Sequence, residues 1–159
     1  MPTSKQVSVF LENKPGRLAN VLLALARDKV NITALAVMDS HEHSVLRMVV
    51  NDAARTVQVL NSLNCPHAQT DVLAVELRNQ PGALAHVCEL LAGGHVNIDY
   101  CYCSSGGRNG KTVGVFKVSN TDKAMKILGG PLDVNGRRRM QTRTLRHKVA
   151  YTRPGTNSR

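Results

Sequence analysis

The sequence predicts an α+β fold: two tandem βαββαβ units, each an antiparallel sheet with its helices packed on one face. Three observations carry this. Residues 13–32 (NKPGRLANVLLALARDKVNI) and 79–98 (NQPGALAHVCELLAGGHVNI) share 11 identities in 20 positions, an internal duplication offset by 66 residues. Each copy alternates between strand-like runs and apolar residues at helical spacing. A hydrophobic content of 42% with 3% aromatics and no Trp calls for small aliphatic cores, which gain stability by packing on one another or on a second chain.

In the first copy, QVSVFLE (6–12) is rich in β-branched and aromatic residues and reads as a strand. Asn13 to Gly16 is a turn, and Pro15 suits the first turn of a helix because its missing N–H has no helical partner to lose. Leu18, Val21, Leu22 and Leu25 then fall at i, i+3, i+4 and i+7, an amphipathic helix facing a sheet. VNITALAVM (30–38) is a second strand, DSHEHS (39–44) a hairpin loop and VLRMVV (45–50) a third strand. Asn51 and Asp52 offer N-cap oxygens to a second helix carrying Val57, Leu60 and Leu63, which NCPH (64–67) ends. QTDVLAVEL (69–77) is longer than one short strand needs. Its start reads as the closing strand of the first unit and its end as the opening strand of the second.

The second copy retraces this path. VLAVEL leads into NQPG, then into a helix with Leu84, Val87, Cys88 and Leu91 at the same spacing, with Gly93 and Gly94 expected to end it in the left-handed conformation. VNIDYCYC (96–103) is a strand, SSGGRNGKT a glycine-rich hairpin loop, VGVFKV (113–118) a strand and TDKAMKIL (121–128) a helix. Each unit thus has the split βαβ order of the ferredoxin-like fold. The expected boundaries are 1–71 for the first unit, 72–136 for the second, and 137–159 for a basic tail holding at most an irregular final strand.

The apolar run near the N-terminus is too short for a signal-peptide core, and no run of about 18 apolar residues would span a membrane, so a cytoplasmic protein is expected. The four cysteines (65, 88, 101 and 103) occupy unlike positions in the two copies, which is not a secreted disulfide framework, and reduced thiols are expected. The net charge of +10 is uneven. Residues 1–128 hold 13 Lys and Arg against 10 Asp and Glu, whereas residues 129–159 hold 8 against 1.

The duplicated turn carries the chemistry. A helix start presents unpartnered N–H groups and partial positive charge, a place for an anion. Gly16 and Gly82 leave room for a ligand to approach, and the amides of Asn13 and Asn79 donate and accept, as a zwitterion's ammonium and carboxylate require. Asn31 and Asn97, in the two copies of VNI, begin the next strand and are expected to bracket the same edge of the unit. The same letters are also good turn chemistry without any ligand.

Read whole, the strand, ENKPGRL, the amphipathic helix and VNI resemble the ACT domain, the βαββαβ regulatory module that binds amino acids in enzymes such as phosphoglycerate dehydrogenase, aspartokinase and the acetolactate synthase regulatory subunit. The resemblance covers about residues 5 to 128 in two copies and is nearest to small stand-alone tandem ACT proteins. It implies a ligand where the first loop of one unit faces a neighbouring unit. By position it implies Asn13, Pro15, Gly16, Arg17, Leu18 and Asn31 at one site, and Asn79, Pro81, Gly82, Ala83, Leu84 and Asn97 at the other. It also implies a homodimer, regulation without catalysis, and no cofactor. Where serine-binding members carry a His two residues before the loop Asn, this chain has Leu11 and Leu77, which favours a more apolar ligand. Arg17 against Ala83 implies two sites of unequal affinity.

Other readings carry less. Cys101 and Cys103 share a strand face near His95, but no second pair completes a tetrahedral metal set, and His41 and His43 read as a solvated pair on a loop tip. GGRNGK lacks the phosphate-loop pattern. Arg137–Arg139, Arg143, Arg146 and Lys148 are suited to non-specific phosphate contacts, which makes nucleic-acid binding an alternative of another class; the sheet strands lack the aromatic set that RNA-recognition domains stack on bases. A second alternative is the regulatory subunit of an amino-acid biosynthetic enzyme such as acetolactate synthase.

Overall fold

A computed structural model describes residues 3–39, 43–105 and 111–129. The closing strand expected for the second unit and the basic tail lie outside the described residues. The order is β1 (Thr3–Glu12), α1 (Arg17–Arg27), β2 (Ile32–Asp39), β3 (His43–Val50), α2 (Ala53–Ser62), β4 (His67–Arg78), α3 (Ala83–Gly93), β5 (Ile98–Ser105), β6 (Lys111–Val118) and α4 (Thr121–Gly129). All strand pairs are antiparallel, in the order β2-β3-β1-β4-β6-β5.

The two units share one sheet because β4 serves both. Its first half pairs with β1 from Val9↔His67 to Thr3↔Leu73, and its second half pairs with β6 from Leu73↔Phe116 to Arg78↔Lys111. The expected boundary at 71/72 therefore falls inside one continuous strand. In the β1–β4 ladder Lys5 faces Asp71, the residue 66 positions after it, so the duplication maps this pair onto itself. The pseudo-twofold axis between the units runs between these two residues, whose side chains form an ion pair at 2.7 Å.

Each unit has its own aliphatic core between sheet and helices. Val7, Val9, Leu11, Leu46 and Met48 lie under Val21, Leu25, Val59 and Leu60 in the first; Leu73, Val75, Leu77 and Phe116 lie under Val87, Leu91, Ala124 and Leu128 in the second. The middle of the helix-free face is buried as well. Ala34, Val49, Val72 and Val115 form a third cluster with Tyr102 and Val113 against it, and the edge strands β2 and β5 approach each other across this face. Both edge strands carry an irregularity just after their VNI, between Ile32 and Ala34 and between Ile98 and Tyr100. A bulge of this kind re-aims side chains.

A buried polar knot ties the units together on this inner face. Gln6, fully buried, donates through Nε2 to Ser8 Oγ (3.0 Å) and to Tyr100 Oη (2.8 Å), while Tyr102 Oη donates to Gln6 Oε1 (3.1 Å). The Arg47 guanidinium stands 4.0 Å from the centroid of the Tyr100 ring. Burial, with a smaller contribution from Tyr100, raises the Tyr102 phenol far above its ordinary value, so it remains a donor.

Two local expectations are corrected. Gly94 closes α3 with φ −88°, and the left-handed residue is His95 (φ 53°), matching Lys29 (φ 58°) in the first unit. Gly94 is small for another reason: a Cβ there would overlap Ile127 Cδ1 of α4. Leu63, expected on the buried stripe of α2, is its exposed C-cap.

Candidate functional site

The two Pro-Gly loops have matching geometry. Lys14 N–H donates to Glu12 O (2.8 Å) and Asn20 N–H to Gly16 O (2.9 Å); Gln80 N–H donates to Arg78 O (2.9 Å) and His86 N–H to Gly82 O (2.9 Å). Gly16 and Gly82 are the N-caps of α1 and α3 at φ 85° and 84°, a left-handed backbone that disfavours any Cβ although the space around both is open.

Capping separates the helices into two kinds. Asp52 Oδ1 accepts from Arg55 N–H (2.8 Å) at the start of α2, and Asn120 Oδ1 accepts from Lys123 N–H (2.9 Å) at the start of α4. Neither α1 nor α3 has a side-chain cap or an acidic residue in its first turn. In each unit the helix that follows the Pro-Gly loop is the one whose first N–H groups no side chain caps, which leaves partial positive charge facing outward.

Asn13, Pro15, Gly16, Arg17, Asn79, Pro81, Gly82 and Leu84 are exposed, while Leu18 and Ala83 are half-buried; Leu18 packs on the first core and Ala83 on the second. The charges around the loops differ. Glu12 Oε2 lies 3.0 Å from Lys14 Nζ and 2.9 Å from Arg17 Nη2, and these two cations, Lys14 first, hold its carboxyl below the ordinary range. In the second unit the same positions are Arg78, Gln80 and Ala83.

Asn31 and Asn97 do not join the loops of their own units. Glu12, next to the first loop, pairs with His43, whereas Ile32, next to Asn31, pairs with Val50. The seven-residue step along β3 sets the two ends about 23 Å apart. The parallel placement of β1 and β2 forces this, because α1 returns the chain to the far end of the sheet before VNI begins. What Asn31 and Asn97 do in the fold is to clamp that far end. Asn31 N–H donates to Asn51 Oδ1 (2.8 Å) and Asn51 N–H to Asn31 O (3.0 Å); Asn97 N–H donates to Ser119 Oγ (3.0 Å) and Ser119 N–H to Asn97 O (3.0 Å).

A feature the sequence did not announce lies on the other side of the first turn of α1. A groove of about 490 Å³ runs between that turn, the end of β1 and the α2–β4 corner. Leu11, Val21, Leu63 and Pro66 line its apolar part, and Glu12, Arg17 and Asn20 its polar part; Phe10, which alternates with Leu11 along β1, turns its side chain to the helix-free face. Only the exposure of Leu63 (39%) would have hinted at it, and exposure is invisible before the fold is known.

Among the described residues no three His, Cys, Asp or Glu side chains converge as a metal site, and no helix is long and apolar enough to cross a membrane. Cys101 and Cys103 are exposed on edge strand β5; burial raises the Cys103 and Cys88 thiols, with neighbouring thiols adding to the effect.

Two split βαβ units fused through a shared strand, each with a glycine-capped helix start after its first strand, define a tandem ferredoxin-like α+β module. Family comparison agrees: a profile described as an ACT domain pair matches residues 2–133, and the chain belongs to that family. Among solved structures, protein BT0572 from Bacteroides thetaiotaomicron is 35% identical, with a TM-score of 0.74 over 80% of this chain and 87% of that one. The ligand-free regulatory subunit of aspartate kinase from Thermus thermophilus shares the fold at 14% identity, with a TM-score of 0.62 over 79% and 91% of the two chains. A corresponding subunit from Thermus flavus does so at 15% identity, with a TM-score of 0.57 over 80% and 91%. Comparison with curated proteins returned no match.

Proposed function

We propose that this chain is a non-catalytic regulatory protein that binds an amino acid or a similar small metabolite at its Pro-Gly loops and reports occupancy to a partner. The observation that carries the reading is the division of helix starts: the two capped by glycine follow the duplicated loops, and the two capped by Asp52 and Asn120 do not. The ligand's carboxylate lies on the first-turn N–H groups of α1 or α3, and Asn13 or Asn79 meets its ammonium. Since Asn31 stands at the far end of its unit, a second copy of the chain supplies that amide to the loop, which makes the homodimer part of the site. Ligand held between copies binds unequally to their alternative packings, the condition for regulation.

The fold shared with aspartate kinase regulatory subunits favours a specific form of this reading, in which the partner is an amino-acid biosynthetic enzyme. Co-purification with a larger catalytic chain is its signature.

A thermal-shift screen of the common amino acids tests the main reading. A ligand at 100 times its dissociation constant adds about 2.7 kcal/mol of stability. Asn13→Ala and Asn79→Ala are expected to reduce that shift. A wild type that no amino acid stabilises, or a shift untouched by both substitutions, overturns it.

A further inference from the structure

The helix-free face is covered unevenly. Toward its VNI end Tyr100 and Tyr102 of β5 close over Gln6 and complete the buried knot. Toward the Pro-Gly end of the first unit it lies open: Val45 stands opposite Phe10 on one side and Met38 on the other, and Met38 and Phe10 are 50% and 44% exposed. All three sit on this face, since Phe10 and Val45 alternate with Leu11 and Leu46 of the first core and Met38 is the ladder partner of Val45. Across three strands they make an apolar row about 10 Å wide.

The next row inward holds a cation. Arg47 stands opposite Ser8 and Ala36, half-buried, with Nη1 3.2 Å from Met38 Sδ and its guanidinium 4.0 Å from the centroid of the Tyr100 ring. Neither partner is an anion. Among the described residues the ion pairs engage Lys5, Lys14, Arg17 and Arg55, and none engages Arg47. A guanidinium taken partly out of water without a carboxylate gains from one that a ligand brings. Stacking on Tyr100 occupies the face of the guanidinium and leaves N–H groups at its edge for that contact.

The second unit does not repeat the arrangement. At the matching ladder positions Val113 stands between Glu76 and Ser104, and Val115 between Ala74 and Tyr102. A carboxylate interrupts the row, and a valine takes the place of Arg47.

We propose that this shelf is a second ligand site, separate from the Pro-Gly loops, for a monocarboxylic acid with an apolar body of about six to ten carbon atoms, its carboxylate on Arg47 and its body across Met38, Val45 and Phe10. The length follows from strand geometry: about 7 Å along β3 from Arg47 to the row of Val45, and about 10 Å across that row. Covering the row releases its hydration without moving the backbone. Arg47 belongs to the first unit and the ring it stacks on to the second, so an acid bound here touches the contact that joins the units. Occupancy is thereby linked to how the units pack.

The test uses the full chain with octanoate as the probe, below its micellar concentration. Octanamide and octylamine are the uncharged and cationic controls, and acetate is the acid without a body. Binding is read by calorimetry and by NMR of carbon-13-methyl methionine. Octanoate is expected to bind, each control at least about tenfold more weakly, and Arg47→Gln and Phe10→Thr each to weaken octanoate by about tenfold or more. In Arg47→Gln the preference for octanoate over octanamide is expected to vanish, a change that loosened structure alone does not produce. Phe10 is exposed, so Phe10→Thr is expected to fold and keeps the test decisive where Arg47→Gln does not fold. The Met38 methyl resonance is expected to shift on binding, while that of Met48, sealed in the first core, stays. Asn13→Ala and Asn79→Ala are expected to leave octanoate binding unchanged. Equal binding of octanoate and octylamine, or of octanoate to wild type and both shelf variants, overturns the site. Octanoate binding that only Asn13→Ala removes overturns it too and assigns the acid to the loop. Absence of octanoate binding overturns the shelf and leaves the loop reading standing.

Discussion

Replacing Gln6 by leucine tests whether the two units are fastened by the buried polar knot or only by apolar contact. Leucine fills nearly the same volume, so little cavity is left, but three hydrogen bonds disappear: two donated by Gln6 Nε2, to Ser8 and Tyr100, and one accepted by Gln6 Oε1 from Tyr102. Each is worth roughly 1 kcal/mol net, and the half-buried tyrosine hydroxyls left without a partner add to the cost, so Gln6→Leu should destabilise by about 2–4 kcal/mol. With a urea dependence of about 1–3 kcal/mol per molar, the unfolding midpoint should fall by about 1–2 M. The decisive comparison adds Tyr100→Phe and Tyr102→Phe. Removing both sides of a buried hydrogen bond is far cheaper than removing one, and a phenylalanine ring still lies under Arg47. The triple variant should therefore recover most of the loss. A cost below about 0.5 kcal/mol for Gln6→Leu, or a triple variant no more stable than the single, would refute the knot.

Two further perturbations follow from the charges. The carboxyl of Glu12 has its pKa depressed by Lys14 and then Arg17, so it binds fewer protons folded than unfolded in the acid range. Its contribution is present above the unfolded value of about 4.3 and is lost as pH falls through the folded value; urea midpoints of wild type and Glu12→Gln should differ near neutrality and converge in acid. Lys5→Asp sets two carboxylates face to face on the pseudo-twofold axis and should cost up to about 1 kcal/mol at this exposed site, with Lys5→Asp/Asp71→Lys restoring wild-type stability in chemical denaturation.

Most of the architecture was legible because the duplication reports itself twice. The helical spacing from Leu18 to Leu25 and from Leu84 to Leu91, the turn at each Pro-Gly and the double service of residues 69–77 are local signals, and the structure repeats them. The polar letters of β1 do not mark a wet face, for a physical reason. Gln6 and Ser8 alternate with Val7 and Val9 as if one face met water, yet all four are buried, because β5 of the second unit covers that face. Contact across 94 residues of sequence leaves no periodic trace. The site was legible only in part for a similar reason: VNI recurs at a fixed distance from Pro-Gly, but sequence distance does not reveal that a crossover helix delivers it to the opposite end of the sheet.

The axis between Lys5 and Asp71 explains why the copies could not stay alike. A perfect duplication places identical residues opposite each other on that axis, and two lysines or two aspartates there would repel across the central ladder of the sheet; opposite charges at 2.7 Å remove the conflict. Divergence on the inner face goes the same way. Positions that are Ala34 and Ala36 in the first unit are Tyr100 and Tyr102 in the second, and Gln6 corresponds to Val72. The large hydroxylated rings come from one unit and the amide that satisfies them from the other, so the knot forms once and in one orientation. The pair at the Pro-Gly loops follows this logic on the surface. The backbone that exposes a helix start is kept in both copies, at φ 85° and 84°, while Arg17 in the first is Ala83 in the second. Shared loop geometry with unequal surroundings is what a protein needs if its two units are to answer different ligands, or the same ligand at different concentrations, through one continuous sheet.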